Sequence, residues 1–301
     1  MKKIYLLALL SLIFSFTVLL GSIQDSFFPN FLIKSESYDY KFIEKVDFKD
    51  NWKPLTGQLS RDGLHMYICA LDNQGSHRLV QMKRSSNFGR FSGMKLINGQ
   101  INERFNPLMA TVNYDNNQIV FVHSATNREA DNRLYLASRT NPLQSFNDIR
   151  PLNELHSSGY AFKYPWISAD GLRLYYTIQS GSFLELRYAE RNSTRDNFLE
   201  RGPVVDGFDK ISNNLSAQLS GDEKEIFVLS GQNLYYSVRE DMEKPFPTPL
   251  KIDEFEVEGY VNSITFTNDF DQMIAFYANT DFDLEVLHFK NISETQISSV
   301  E

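Results

Sequence analysis

A short turn built on aspartate returns five times along the chain, and no other feature narrows the possible folds as far. It appears as Ser60-Arg61-Asp62-Gly63, Asn113-Tyr114-Asp115-Asn116, Ser168-Ala169-Asp170-Gly171, Ser220-Gly221-Asp222-Glu223 and Thr267-Asn268-Asp269-Phe270, with the aspartates 53, 55, 52 and 47 residues apart. A near-constant period of this length is the mark of a repeat architecture in which each copy is one supersecondary unit. Aspartate suits the position because its carboxylate accepts backbone N–H bonds two residues on, and a following Gly tolerates the left-handed backbone of a tight turn. Three copies lack that Gly, yet the spacing persists.

An apolar strand follows every anchor: Leu64 to Ala70, Gln118 to His123, Leu172 to Ile178, Glu225 to Leu229 and Gln272 to Tyr277. In the third copy Leu172, Leu174, Tyr176 and Ile178 alternate with Arg173, Tyr175 and Thr177, the period of two expected of a half-buried strand. A second strand comes after a turn: His77 to Lys83, Arg133 to Ser138, Leu184 to Glu190, Asn233 to Val238 and Leu284 to Phe289. Four copies leave through a phenylalanine, Phe91, Phe146, Phe198 or Phe246, and a short apolar strand. A four-stranded sheet standing alone leaves both faces open to water, so five such units must stack face to face around an axis. The expected fold is all-β, a five-bladed β-propeller of four-stranded antiparallel blades. Gly57, Ala110, Pro165, Ala217 and Ile264 fall at one equivalent inner-strand position, where small side chains fit a crowded axis and only Ile264 departs.

Ile167-Ser168-Ala169-Asp170-Gly171-Leu172, with Leu174-Tyr175-Tyr176 and Tyr188-Ala189-x-Arg191 before Asp196-Asn197-Phe198, resembles the TolB-like β-propeller repeat. This is a WD-like family with a Ser/Pro-x-Asp-Gly signature, found in exported bacterial proteins. The second copy joins the resemblance through Leu134 to Arg139, and the likeness runs from about residue 52 to 290. It implies the propeller fold and leaves function open, since members include partner-binding modules and domains of peptidases.

Lys2 and Lys3 precede an unbroken apolar run from Ile4 to Gly21, the charged and hydrophobic regions of an export segment over residues 1–22. The small residues wanted at a cleavage site are missing, and the run sits at the lower limit for a spanning helix, so cleaved signal peptide and uncleaved anchor both stay open. Either way the protein is expected to be exported, periplasmic or associated with the cell envelope, with residues 23–301 as a single propeller domain. Tyr40 to Phe48 reads as a strand without a blade of its own, placed to complete the last blade and close the ring. A competing closing strand is Gln296 to Val300.

The formal charge is −8, a sign that disfavours nucleic acid as a partner. Cys69 is the only cysteine and sits within a strand, where packing is its expected role. The five histidines show no metal-ligand spacing, and no nucleophile elbow or phosphate loop is present, so neither metal nor cofactor is expected. Asp72-Asn73-Gln74-Gly75 and Asp281-Phe282-Asp283 fall at the same hairpin in their copies, and turn chemistry accounts for them better than calcium.

Two functions remain. The loops leading into the inner strands converge on one mouth of the channel and carry Trp52, Arg104, Asn106, Tyr164, Asn213 and Tyr260, a rim of aromatic, amide and basic groups suited to a protein, a peptide or a glycan. The alternative is a five-bladed glycoside hydrolase, which needs facing carboxylates. The inner strands hold no Asp or Glu, so its candidates are Glu103, Asp209 and Glu258 on the same loops. Acid-free strands favour the non-enzymatic reading. The N-terminal segment, if retained, is the only expected membrane contact.

Overall fold

The computed structural model describes residues 31–34, 38–49, 51–126, 128–204, 215–252 and 254–293. The export segment, Asp209, Asn213 and the competing closing strand at 296–300 lie outside them. No helix among the described residues is long and apolar enough to cross a membrane.

Five antiparallel sheets surround an axis. The first blade comprises β3 (Lys53–Leu59), β4 (His65–Leu71), β5 (His77–Lys83) and β6 (Ser92–Leu96). The second has β7 (Pro107–Val112), β8 (Gln118–Ser124), β9 (Asn132–Ser138) and β10 (Asp148–Pro151), and the third β11 (Ala161–Ile167), β12 (Arg173–Ser180), β13 (Phe183–Glu190) and β14 (Leu199–Pro203). The fourth has β15 (Leu215–Leu219), β16 (Glu225–Ser230), β17 (Asn233–Val238) and β18 (Leu250–Lys251). The fifth runs β20 (Tyr260–Phe266), β21 (Gln272–Ala278), β22 (Leu284–Asn291) and then β2 (Asp39–Lys45) from the other end of the chain. Thus β2 is the closing strand, with Tyr40 opposite Asn291 and Phe42 opposite Phe289. Two strands absent from the sequence reading, β1 (Phe31–Lys34) and β19 (Glu254–Val257), extend this sheet outward, which covers the edge that β2 would otherwise present to solvent.

The anchors form the turns their chemistry requires. Ser60 and Ser168 donate to Asp62 and Asp170 at 2.5 Å, and each carboxylate accepts a backbone N–H two residues on, from Leu64 and Leu172. In the second copy Asn113 takes over, its Oδ1 accepting from Asn117 and Gln118 at 3.0 Å, and Asp115 is left at the surface. The residue after each anchor is left-handed in all five copies, at Gly63, Asn116, Gly171, Glu223 and Phe270. Where Gly is missing, the turn therefore holds a side chain in a disfavoured region, and neighbouring contacts offset the strain.

One clamp recurs at the seams and was not read from the sequence. Arg84, Arg139, Arg191 and Arg239 each stand seven residues before the exit phenylalanine and stack on its ring, at 4.1–4.5 Å from its centroid. Each Nε donates to the carbonyl of the left-handed turn residue in its own blade, at 2.7–2.9 Å. The far end of the guanidinium reaches the preceding blade: Gln272, Tyr67, Gln118 and Tyr175 in turn. The fifth blade lacks the arginine, and tyrosines of the closing segment replace it. Tyr40 donates to the Phe270 carbonyl at 2.5 Å and Tyr38 to Glu225 of the fourth blade at 2.6 Å.

The set Gly57, Ala110, Ala217 and Ile264 is equivalent as expected, opposite Ile68, Phe121, Val228 and Ala275, while Pro165 falls within a bulge. The reason for smallness is different at Gly57. A Cβ there would lie 2.2 Å from Phe276 Cζ of the fifth blade and 2.9 Å from the Tyr67 carbonyl, so the seam between blades excludes it. Gly57→Ala is expected to cost about 1–3 kcal/mol by overpacking. A urea unfolding midpoint equal to that of the parent protein would contradict this.

Candidate functional site

Six residues before the five anchors stand Thr56, Met109, Tyr164, Ser216 and Ser263, and all five line the central channel with Gln58 and Gln218 two positions further on. At that second level Thr111 and Thr265 accept the N–H groups of Ile167 and Leu59 in the following blade, each at 3.1 Å, which fixes the spacing of the inner strands. The lining is hydroxyl, amide and thioether, with no carboxylate. Four of the inner strands carry a bulge toward the end at which they begin, the usual device for re-aiming side chains near a site.

Tyr164 occupies one of these bulges with φ of 46°, immediately before Pro165, where a left-handed residue is strained. Its N–H donates to Met109 Sδ at 3.2 Å. Burial raises its phenol pKa, and the Tyr260 phenol of the non-adjacent fifth blade adds to the rise. About 20 Å³ of free space remains in the channel, room for one or two water molecules and too little for a sugar ring or a peptide.

The open space on this face lies beside the mouth. A groove of about 420 Å³ runs between residues 45–53 and 282–286, within the range of small-ligand sites. Trp52 and Phe48 pack against the core of the first seam and form its apolar wall, facing the hairpin that carries the exposed Phe282. Lys49, Asn51 and Lys53 supply donors, and Lys45 pairs with Glu285 at 2.7 Å. Asn51 and Phe282 are both left-handed, at φ of 67° and 63°, so neither wall is a relaxed loop.

The remaining sequence candidates are dispersed. Glu103 and Arg104 are exposed at the end of a four-residue helix, Gln100–Glu103, that buried Asn102 pins to the first blade through Leu79 and Ile97. Asn106 is half-buried and its N–H donates to His123 Nδ1 at 3.1 Å. Burial lowers the His123 pKa, leaving a neutral ring that can accept this bond. Glu258 is exposed, and its backbone carbonyl accepts the Tyr277 hydroxyl. Neither Glu103 nor Glu258 lines the channel or the groove. Lys163, on an inner strand, is buried and pairs with Glu129 of the second blade's hairpin loop. Among the described residues no group of three or more His, Cys, Asp or Glu could hold a metal ion. Asp72 accepts from Gln74 and Ser76 at 2.9 Å, the turn role expected of it, and Arg78 pairs with its other oxygen.

Phe282 was legible as an aromatic in an Asp-Phe-Asp turn. That it lines one groove with Trp52 was not, because the two are 230 positions apart and come to opposite walls only once the ring closes.

No protein-family model matches the chain, and no curated protein matches it. Solved structures do. The catalytic domain of the Coprinopsis cinerea GH62 α-L-arabinofuranosidase is similar with a TM-score of 0.53 at 8% identity, over 86% of this chain and 98% of that one. TolB from Acinetobacter baumannii is similar with a TM-score of 0.49 at 13% identity, over 79% of this chain, which spans just over half, 55%, of the TolB chain. The Hadza microbial sialidase Hz136 gives 0.48 at 8% identity, over 80% and 66%. At these identities the likeness is one of fold.

Proposed function

We propose that this chain is an exported, non-enzymatic propeller that binds a protein or peptide partner on the face where loops lead into the inner strands, with a glycan as the alternative ligand. The observation that carries the reading is the contrast on that face between a carboxylate-free channel with room for little more than water and an open aromatic groove beside it. Aromatic walls edged by ammonium and amide groups and by the carboxylates of Asp47, Asp283 and Glu285 suit extended polar ligands, which gain apolar contact and hydrogen bonds together. The groove therefore takes the role that sequence reasoning gave to the channel mouth. Of the earlier rim residues, Trp52 stays central. Export rests on the pattern of residues 1–22, and the propeller domain on residues 23–301.

The test is capture from an envelope extract with the purified protein as bait, followed by affinity measurement against the captured partner. Trp52→Ala is expected to weaken binding at least tenfold, as removal of a buried aromatic anchor does. Phe282→Ala and Lys53→Glu change exposed positions and separate binding from stability. Unchanged affinity in all three would refute the groove. Hydrolysis of a glycan panel that disappears in Glu103→Gln, Asp209→Asn or Glu258→Gln would instead establish the glycosidase.

A further inference from the structure

Arg61 follows the first inner strand, on the face opposite the groove, yet its partners belong to the third blade. Its guanidinium donates to the Ile167 carbonyl and lies over the Trp166 ring at 3.8 Å from the centroid. The first and third blades are not neighbours, so a side chain that joins the ends of their inner strands passes beneath the channel and closes its floor.

The group is buried at 7% exposure, and among the described residues no carboxylate lies within ion-pair distance of it. Its Nε donates to nothing. Glu223 of the fourth blade acts on it only at longer range, being held by Arg173 at 2.7–2.8 Å and by Tyr175. Burial pulls the Arg61 pKa down to about 9, which still leaves it charged at neutral pH. An unpaired buried cation is costly, and the usual relief is a counterion.

Above this floor, two polar atoms of the channel lining also lack partners. They are Ser263 Oγ and Gln58 Oε1, on residues 4% and 3% exposed. The oxygen and nitrogen of a glutamine amide exchange places by a half-turn, so Gln58 can offer its NH₂ to the channel as readily as its oxygen. Hydroxyls and an amide in the lining, with no carboxylate among them, form a donor set for an anion, and the buried Arg61 guanidinium at the floor supplies positive charge. A divalent cation would require acidic or carbonyl oxygens. The free space, about 20 Å³, limits the ligand to monatomic size.

The geometry points to a halide site at the axis: one chloride ion held in the central channel by Ser263 and Gln58, with Arg61 as its counter-charge at the floor. Such an ion ties inner strands of the first, third and fifth blades to one centre. It is a stabilising ligand independent of whatever the groove binds.

The experiment is thermal unfolding of the full chain in halide-free buffer, titrated with sodium chloride against sodium methanesulfonate at constant ionic strength. Tm is expected to rise by about 3 °C for each tenfold increase in chloride above half-saturation, and methanesulfonate, too large for the channel, should give no rise. Bromide should substitute and show an anomalous-scattering peak between Ser263 and Gln58. Arg61→Gln should abolish the chloride dependence, and Ser263→Ala, a milder change that keeps the fold, should weaken it. Equal Tm in both salts overturns the site. So does a chloride effect that survives both substitutions, or a bromide peak found only elsewhere.

Discussion

A chain without residues 23–50 will not melt as a folded ring. The deletion removes β2, the fourth strand of the last blade, and with it Tyr38 and Tyr40, which are buried in the cluster joining the fourth and fifth blades. Tyr38 makes edge contacts with Phe227, Tyr236 and Phe270, and Tyr40 packs on Phe266. Removing a large aromatic from a core typically costs about 3–5 kcal/mol, so two approach the whole stability of an ordinary domain, about 5–15 kcal/mol. The deletion also strips the pairing partner from β22 and opens the seam that the other blades close with an arginine clamp. A cooperative transition in calorimetry at the parental temperature would show that the ring does not depend on this strand. Tyr40→Phe separates packing from hydrogen bonding. It keeps the ring but leaves the Phe270 carbonyl unpaired, and about 1–3 kcal/mol should be lost.

Replacing one clamp arginine is expected to produce the next largest loss. Arg191 donates to the Gly171 and Thr194 carbonyls and to Gln118 of the preceding blade, and stacks on Phe198 at 4.2 Å from the ring centroid. Arg191→Met keeps much of the side-chain volume and abandons two buried acceptors, the Gly171 carbonyl and the Gln118 amide oxygen, each worth about 1–3 kcal/mol when left unsatisfied. A net loss of about 3 kcal/mol should lower Tm by about 6–12 °C. Arg191→Lys is not expected to rescue it, because an ammonium on a flexible stem has no planar fork to reach both blades while lying flat on the ring. A lysine variant as stable as the parent would mean that charge alone holds the seam.

The turn aspartates determined the fold from the sequence alone. In four of the five copies the carboxylate accepts a local N–H bond, and in the second Asn113 does so instead, so the signal lies within a few residues of chain and repeats wherever the turn repeats. The period then specified five blades, but the alternation within Leu172–Ile178 did not separate buried from exposed side chains: Tyr175 and Thr177 are as buried as Leu174 and Tyr176, because both faces of a blade are covered by its neighbours. The closing strand was legible because the first blade begins too late and the last ends too early. The arginine seven residues before each exit phenylalanine has the same regularity, but a charged residue at a strand end is ordinarily solvated, so the sequence pattern carries no sign of the clamp. The site was legible in part. Trp52 lines the open groove and Tyr164 the channel, whereas Tyr260 is exposed, Arg104 stands on an exposed helix end and Asn106 serves His123. What the tertiary structure decided alone is which distant copies come together: Tyr164 with the other channel-lining residues, Arg61 across the floor to Ile167, and Phe282 in one groove with Trp52. Nothing local encodes these meetings. They depend on how far each blade turns about the axis, which is set by packing at all five seams together, and a period along the chain carries no record of it.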